Sequence, residues 1–159
     1  MAAPKPPTTL ELIADSPVKY GFRITTMRNW YAVPAFGRTE RELDLTESEV
    51  TIIFCLGHIS ALRAKDVSVI SARPKNSISR GVHLLLQKKL VQQNADRADK
   101  REKTLTLTPS GQVMFRKIMP IFQARQDAML EALNARERQS FDRLLDKLVA
   151  GLDAREAAE

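Results

Sequence analysis

The sequence predicts a mainly α-helical chain carrying one small β-hairpin, and three observations predict it. Apolar residues recur at helical spacing in two separate stretches, Ile78-Val82-Leu85-Leu86 and Phe141-Leu144-Leu145-Leu148-Val149-Leu152. A third stretch alternates instead, with Leu105 and Leu107 set between Thr104, Thr106 and Thr108, the period of a strand. The helix Asn76–Lys89 runs directly into a hairpin made of strand Leu90–Gln93, charged loop Asn94–Lys103 and that threonine strand. A helix followed at once by a hairpin with a charged tip is the arrangement of a winged helix-turn-helix, here with further helices on both flanks.

The charge is as uneven as the pattern. Between Arg73 and Lys103 lie nine Lys/Arg and three Asp/Glu. Nine minus three is +6, equal to the formal net charge of the whole 159-residue chain, so the basic excess is local. A local excess marks a surface for a polyanion. The helix in this stretch turns Ser77, Ser79, Arg80 and His83 away from the Ile78 stripe, with Asn76 as the expected N-cap. Short or forked hydrogen-bonding side chains near a helix N-terminus are what a major-groove helix presents to base edges. Arg73 and Lys75 flank Pro74 just ahead of it, where cations favour phosphate contacts. The hairpin tip adds Arg97, Lys100, Arg101 and Lys103 beside Asp96, Asp99 and Glu102. Alone, such a tip is a solvated turn with ion pairs worth about 0–1 kcal/mol each. Beside a reading helix, Arg97 or Lys100 becomes the candidate for the minor groove, where a narrow A·T-rich stretch has enhanced negative potential. Arg101 is alternatively a brace for the wing.

The elements follow in order. The length suits one domain, and 43% hydrophobic residues can build a core. Residues 1–15, with Pro4, Pro6 and Pro7, read as a disordered N-terminal arm. Residues 16–42 form the N-terminal dimerisation helix region. There Ser16-Pro17 supplies N-cap and N1, Tyr20, Phe22, Ile24, Met27, Trp30 and Tyr31 run along the helix, and Pro34 is expected to end or kink it. Arg38–Glu42 is then a turn or a short helical piece. Residues 43–111 form the winged helix-turn-helix. Its first helix opens with the capping box Thr46-Glu47-Ser48-Glu49 and points Val50, Ile53, Phe54 and Leu56 inward. Ala61–Ser71 is its short second helix. Residues 112–153 form two C-terminal dimerisation helices, the first capped by Thr108-Pro109 and kinked at Pro120, the second capped by Asn134 with Glu137. Residues 154–159 are a tail. With the winged-helix core complete by Gly111, the stripe Phe141, Leu144, Leu145, Leu148 and Leu152 must find cover elsewhere, and a two-fold homodimer is the expectation. A two-fold also sets two reading helices over a palindrome with half-sites about one helical turn apart.

Other chemistries find little support. There is no G-x-S-x-G, no phosphate-binding glycine loop and no H-E-x-x-H, so neither an enzyme, a metal site nor a cofactor is expected. His58 and His83 are too far apart for a short metal motif. Cys55 lies among apolar residues late in its helix with no adjacent cation, a core thiol rather than an oxidation sensor. One cysteine excludes an intrachain disulfide framework and suits a reducing cytoplasm. No run approaches the roughly 20 apolar residues of a membrane span, and no apolar secretory segment opens the chain.

Three segments, LTESEV, DVSVISARPKNSISRGVHLLLQKKLV and ADKREKTLTLTPSG, together resemble the multiple-antibiotic-resistance regulator (MarR) family of bacterial winged-helix transcription factors. Asp99-Lys100-Arg101 followed by Leu105-x-Leu107-Thr108-x-x-Gly111 is similar to that family's wing signature, and Ser79-Arg80 to its recognition helix. The chain departs from the pattern where Ser71 replaces an apolar residue, leaving Val69 or Ile70 to pack. It departs again where Arg73-Pro74-Lys75 replaces a carboxylate that pairs with the wing arginine, so that any partner of Arg101 is Asp99 or Asp66. The resemblance implies a dimeric, sequence-specific transcriptional regulator, foremost a repressor, on a palindromic double-stranded operator in the bacterial cytoplasm, associated with the nucleoid. It implies release by a small effector, often an aromatic acid or phenol in similar proteins, in a cleft between dimer helices and winged-helix lobes. Arg23, Arg28, Trp30, Tyr31 and His58 are the candidates for that cleft, unranked by the sequence. Two rival classes stand beside this reading: an architectural, non-specific DNA-binding protein without an effector, and a winged-helix module whose basic face meets an acidic protein.

Overall fold

The computed structural model describes residues 6–95 and 103–156. Helix α1 (Thr9–Ile13) follows Thr8, whose hydroxyl accepts from the Glu11 N–H while the Glu11 carboxylate accepts from the Thr8 N–H at 2.7 Å. This reciprocal cap, together with burial of Ile13, gives helical structure to part of the arm expected to be disordered. Helix α2 (Lys19–Leu43) starts after Val18 rather than Ser16 and continues past Pro34. A mid-helix proline costs about 3 kcal/mol. Beyond it Ala35 and Thr39 are 1% and 0% exposed, and the Phe36 ring lies edge-on to Phe122 at 5.1 Å. That packing outweighs the proline, and the turn expected at Arg38–Glu42 is helix instead.

Helix α3 (Glu47–His58) opens with the predicted box, Thr46 N–H donating to Glu49 Oε2 at 2.9 Å. It buries Val50, Ile52, Ile53, Cys55 and Leu56. Phe54, expected inward, is exposed, and its ring meets His58 at 4.5 Å between centroids. The small thiol of Cys55 takes the inner place.

Strand β1 (Leu62–Arg63) pairs antiparallel with β3 (Lys103–Leu107), and β3 with β2 (Val91–Ala95), giving the sheet order β1-β3-β2. Leu62 faces Leu105 and Val91 faces Leu107 across the two ladders. The extra strand takes residues assigned above to a helix, since two residues carry no periodicity. Helix α4 (Ala64–Ile70) therefore starts later, and it packs through Val67 and Ser68. Val69 and Ile70 are exposed and do not fill the place of an apolar residue at 71. Ser71 instead turns its hydroxyl back, donating to the Val67 carbonyl at 2.6 Å.

Helix α5 (Lys75–Gln87) buries Ile78, Gly81, Val82 and Leu85, the predicted stripe with Leu86 at its half-buried edge. Its N-cap is Pro74, so Asn76 lies inside the first turn and does not cap. A Cβ on Gly81 would stand 2.8 Å from Ile52 Cδ1, so glycine sets the close α3–α5 crossing. The helix ends with Lys89 at φ 55°, where Leu90 N–H donates to the Leu85 carbonyl at 2.9 Å and Lys89 N–H to Leu86 at 3.1 Å. This is a Schellman closure made without glycine.

Helix α6 (Pro109–Leu130) begins on Thr108, whose hydroxyl accepts from Gly111 N–H at 3.0 Å and donates to the Lys89 carbonyl at 2.8 Å. It continues past Pro120, and Ile118, Ile121 and Phe122 join Ala35, Leu45, Leu56 and Leu85 in one core. The winged-helix core is thus not complete at Gly111. Helix α7 (Ala135–Glu156) is capped as predicted, Asn134 Oδ1 accepting from Glu137 N–H at 3.1 Å. The chain forms two compact units, Met1–Gln123 and Ala124–Glu159. Among the described residues no helix is long and apolar enough to cross a membrane.

Gly111 is the tightest point of the wing's exit. A Cβ there would lie 2.0 Å from the Leu90 carbonyl oxygen, a backbone atom that cannot step aside. Gly111→Ala is expected to destabilise the protein by about 3 kcal/mol in urea unfolding, the upper range for overpacking.

Candidate nucleic-acid interface

The α5 stripe fixes what the opposite face shows. Lys75, Asn76, Ser79, Arg80 and His83 are exposed, and Ser77 is half-buried on the flank. This face has one further member beyond those named from the sequence. Gln87 is exposed one turn after His83, and its Nε2 lies 3.1 Å from His83 Nε2. Extending the spacing from Ser79 and His83 by four residues would have found it.

The basic stretch divides once side chains are placed. Arg73 points inward, its side chain 23% exposed, with Nη2 donating to Glu47 Oε1 and the guanidinium 5.7 Å from the Phe36 ring centroid. Lys88 donates to the Asp44 carbonyl and lies 3.0 Å from Glu49 Oε1, whose carboxylate is 0% exposed. That contact is out of hydrogen-bond alignment and therefore electrostatic. Lys75, Arg80, Lys89 and Lys103 remain at the surface. Arg97, Lys100 and Arg101 lie outside the described residues, as does Asp99. Asp66 is taken by Arg63, Nε to Oδ2 at 2.8 Å and Nη2 to Oδ1 at 2.9 Å, and these bonds hold its carboxyl below the usual carboxylate value. On the hairpin's outer face Asn94 Nδ2 donates to Thr106 Oγ1 at 3.1 Å.

The five cleft candidates separate. Arg28 Nη2 pairs with Glu47 Oε1 at 2.8 Å. Tyr31 packs edge-on against Phe122 at 6.0 Å, and burial pushes its phenol up. His58 ends α3 with Nδ1–H donating to the Phe54 carbonyl at 2.9 Å, and its ring stands 5.3 Å from Phe115. Trp30 is largely exposed. Arg23 is half-buried, its Nε enclosed without a hydrogen-bond acceptor among the described residues. The described contacts do not gather these residues into one pocket. Cys55 is buried, and burial pushes its thiol up, as suits a core residue.

In the second unit, Leu144, Leu145, Leu148 and Leu152 are 40–63% exposed, while Phe141 is half-buried. Phe141 and Leu145 line an open groove of about 480 Å³ with Met129, Leu130, Arg138 and Asp142. In the first unit Leu10, Leu12, Val18, Tyr20, Ile24 and Trp30 are likewise exposed.

This geometry, a buried-stripe helix leading into a three-stranded wing, defines a winged helix-turn-helix. The chain has the winged-helix fold of MarR-family transcriptional regulators. It is similar to the crystal structure of a MarR-family regulator from Silicibacter pomeroyi at 20% identity and a TM-score of 0.77, covering 92% of this chain and 96% of that one. It is similar to Bordetella bronchiseptica BpsR at 24% identity and a TM-score of 0.71, covering 82% and 98%. A probable transcriptional regulator from Pseudomonas aeruginosa matches at 21% identity and a TM-score of 0.69, covering 86% and 98%. Neither a family sequence model nor a curated protein matches the chain.

The Lys88–Glu49 contact anchors the C-terminal end of α5 on the core. Lys88→Ala leaves a carboxylate enclosed without its counter-charge and is expected to cost about 3 kcal/mol, the low end for breaking a buried pair because Lys88 is partly solvated. Thermal unfolding of the variant checks this.

Proposed function

We propose that the chain is a dimeric, sequence-specific DNA-binding transcription regulator, a repressor that holds a palindromic operator and is released by a small aromatic effector. The observation that carries the reading is the exposed face of α5, with Asn76, Ser79, Arg80, His83 and Gln87 set opposite a fully buried stripe. A helix locked into its domain by one face offers the other to a groove without loss of register. Arg80 supplies a forked donor suited to guanine O6 and N7, Asn76 and Gln87 an amide suited to adenine, and Ser79 a small hydroxyl. Lys75, Lys89 and Lys103 supply phosphate contacts, and the wing cations Arg97, Lys100 and Arg101 supply the minor-groove arm of the same proposal.

The dimer reading rests on the exposed leucines of α7 and the exposed apolar residues of α1 and α2, surfaces that a two-fold partner would cover. One similar structure concerns regulation of DNA binding of BpsR by 6-hydroxynicotinic acid. That favours aromatic carboxylates as first effector candidates, with the cationic Arg23 and Arg28, the rings of Trp30 and Tyr31, and His58 as the groups to receive them. An effector releases DNA only by binding the non-DNA geometry of the dimer more tightly. A protein with this role works in the cytoplasm, at the nucleoid.

Fluorescence anisotropy with duplex from upstream of the chain's own gene, against scrambled competitor, tests the reading. Binding that survives the competitor, falls steeply with salt and is reversed by aromatic carboxylates is the expected result. Equal binding to both duplexes would make it an architectural protein. Arg80→Ala is expected to lose about 1–3 kcal/mol of discrimination between operator and scrambled duplex. In sedimentation, Leu145→Glu combined with Leu148→Glu is expected to yield monomer and to abolish operator binding, while the winged-helix unit keeps its fold.

A further inference from the structure

Arg73 is two residues ahead of α5, where a cation would meet a phosphate, yet its guanidinium faces the protein. Its only ionic partner among the described residues is Glu47 Oε1, and its apolar support is the Phe36 ring. The same carboxylate oxygen accepts from Arg28 Nη2 at 2.8 Å, and Arg28 belongs to α2. One oxygen therefore serves two guanidinium groups, one on the helix that carries the exposed apolar residues and one at the threshold of the reading helix.

We propose that Glu47 masks Arg73, withholding a phosphate-binding cation at the head of α5, and that Arg28 on α2 competes for the same carboxylate oxygen without lifting the mask. The proposal rests on the DNA-binding reading above and concerns a cation that reading does not use. The backbone makes such a mask separable from the fold. Arg73 N–H donates to the Ser68 carbonyl at 3.1 Å and Ser68 Oγ donates to the Arg73 carbonyl at 2.6 Å. The turn is thus held at Ser68 whether or not the guanidinium stays with Glu47. The Glu47 side chain is 36% exposed, so the pair sits at the protein's edge and its guanidinium can exchange one anion for another. The competing anions are a carboxylate and a phosphate, and Arg forms two-pronged bonds with both. A ligand or partner carboxylate that draws Arg28 away leaves Glu47 to Arg73 alone and deepens the mask. Removing the Glu47 charge lifts it.

The test is the salt dependence of binding to a labelled scrambled duplex, measured by anisotropy between about 50 and 200 mM salt on full-length protein. Each phosphate contact adds about 0.9 to the slope of log affinity against log salt, so Glu47→Gln is expected to steepen it by about two for a two-fold dimer. Arg73→Met, which keeps an apolar stem against Phe36, is expected to leave the wild-type slope unchanged. In the Glu47→Gln background the same Arg73→Met change is expected to take the added slope away again. Arg28→Ala is expected to keep the wild-type slope. Melting curves confirm that each variant is folded.

That non-additivity separates a masked cation from a simple loss of negative charge, which would steepen the slope equally with or without Arg73. Arg73→Met flattening the wild-type slope would show the cation already on DNA and overturn the proposal. So would a Glu47→Gln slope equal to wild type, or one that Arg73→Met does not reverse, or Arg28→Ala steepening the slope. Wild-type protein that binds no duplex at the lower salt would instead sink the DNA-binding reading itself.

Discussion

The first unit is assembled around a carboxylate with no exposed surface. Glu49 reaches back to cap its own helix, accepting from the Thr46 N–H at 2.9 Å and the Thr46 hydroxyl at 2.8 Å through one oxygen. Its other oxygen faces Lys88 at the C-terminal end of α5, and Lys88 in turn donates to the Asp44 carbonyl at the end of α2. Three helix termini are joined through two side chains. An enclosed charge is expensive unless it is paired, so this arrangement leaves the three ends few other places to be. The close crossing at Gly81 and the apolar contacts of Ile52, Ile78 and Leu85 then fill the space between them.

A second acidic residue does the same job at the other end of α5. Glu47 ties Arg28 of α2 and Arg73 of the turn before α5, so α5 is held to α2 and α3 by an ionic contact at each end. What is left free is its outward face. This division of the basic stretch matters more than its total charge. Among its described cations two serve the scaffold, and the exposed ones are dispersed along α5 and the base of the hairpin. In the proposed role, the net positive charge would attract a polyanion, and the side chains of one helical face would be what it meets.

Much of this was legible in the residues. The 3.6-residue spacing of Ile78, Val82 and Leu85, the boxes Thr46-Glu49 and Asn134-Glu137, and the Thr108-Pro109 start of α6 all depend on neighbours within a few positions, and local chemistry suffices to read them. The outward placement of Ser79, Arg80 and His83 follows from the same spacing. The failures share a different cause. Pro34 did not break α2, because contacts of Ala35, Phe36 and Thr39 with distant residues outweigh a missing ladder bond. Asn76 did not cap, because Pro74 had already taken the N-cap position. Strand β1 exists only because β3 offers it an edge, and two residues show no pattern of their own. Arg73 and Lys88 looked like surface cations because their acidic partners lie 26 and 39 positions away, beyond any local rule.

The sequence alone determined the helices α3, α5 and α7, the hairpin after α5, and which face of α5 would carry hydrogen-bonding groups, because periodicity and capping are short-range. Tertiary structure alone decided which cations remained available to a partner, which apolar residues stayed at the surface, and that α6 would complete the core. Those outcomes depend on pairing between residues far apart in the chain. A buried carboxylate or an unfilled apolar gap selects its partner by position in space, and spacing along the chain does not encode that position.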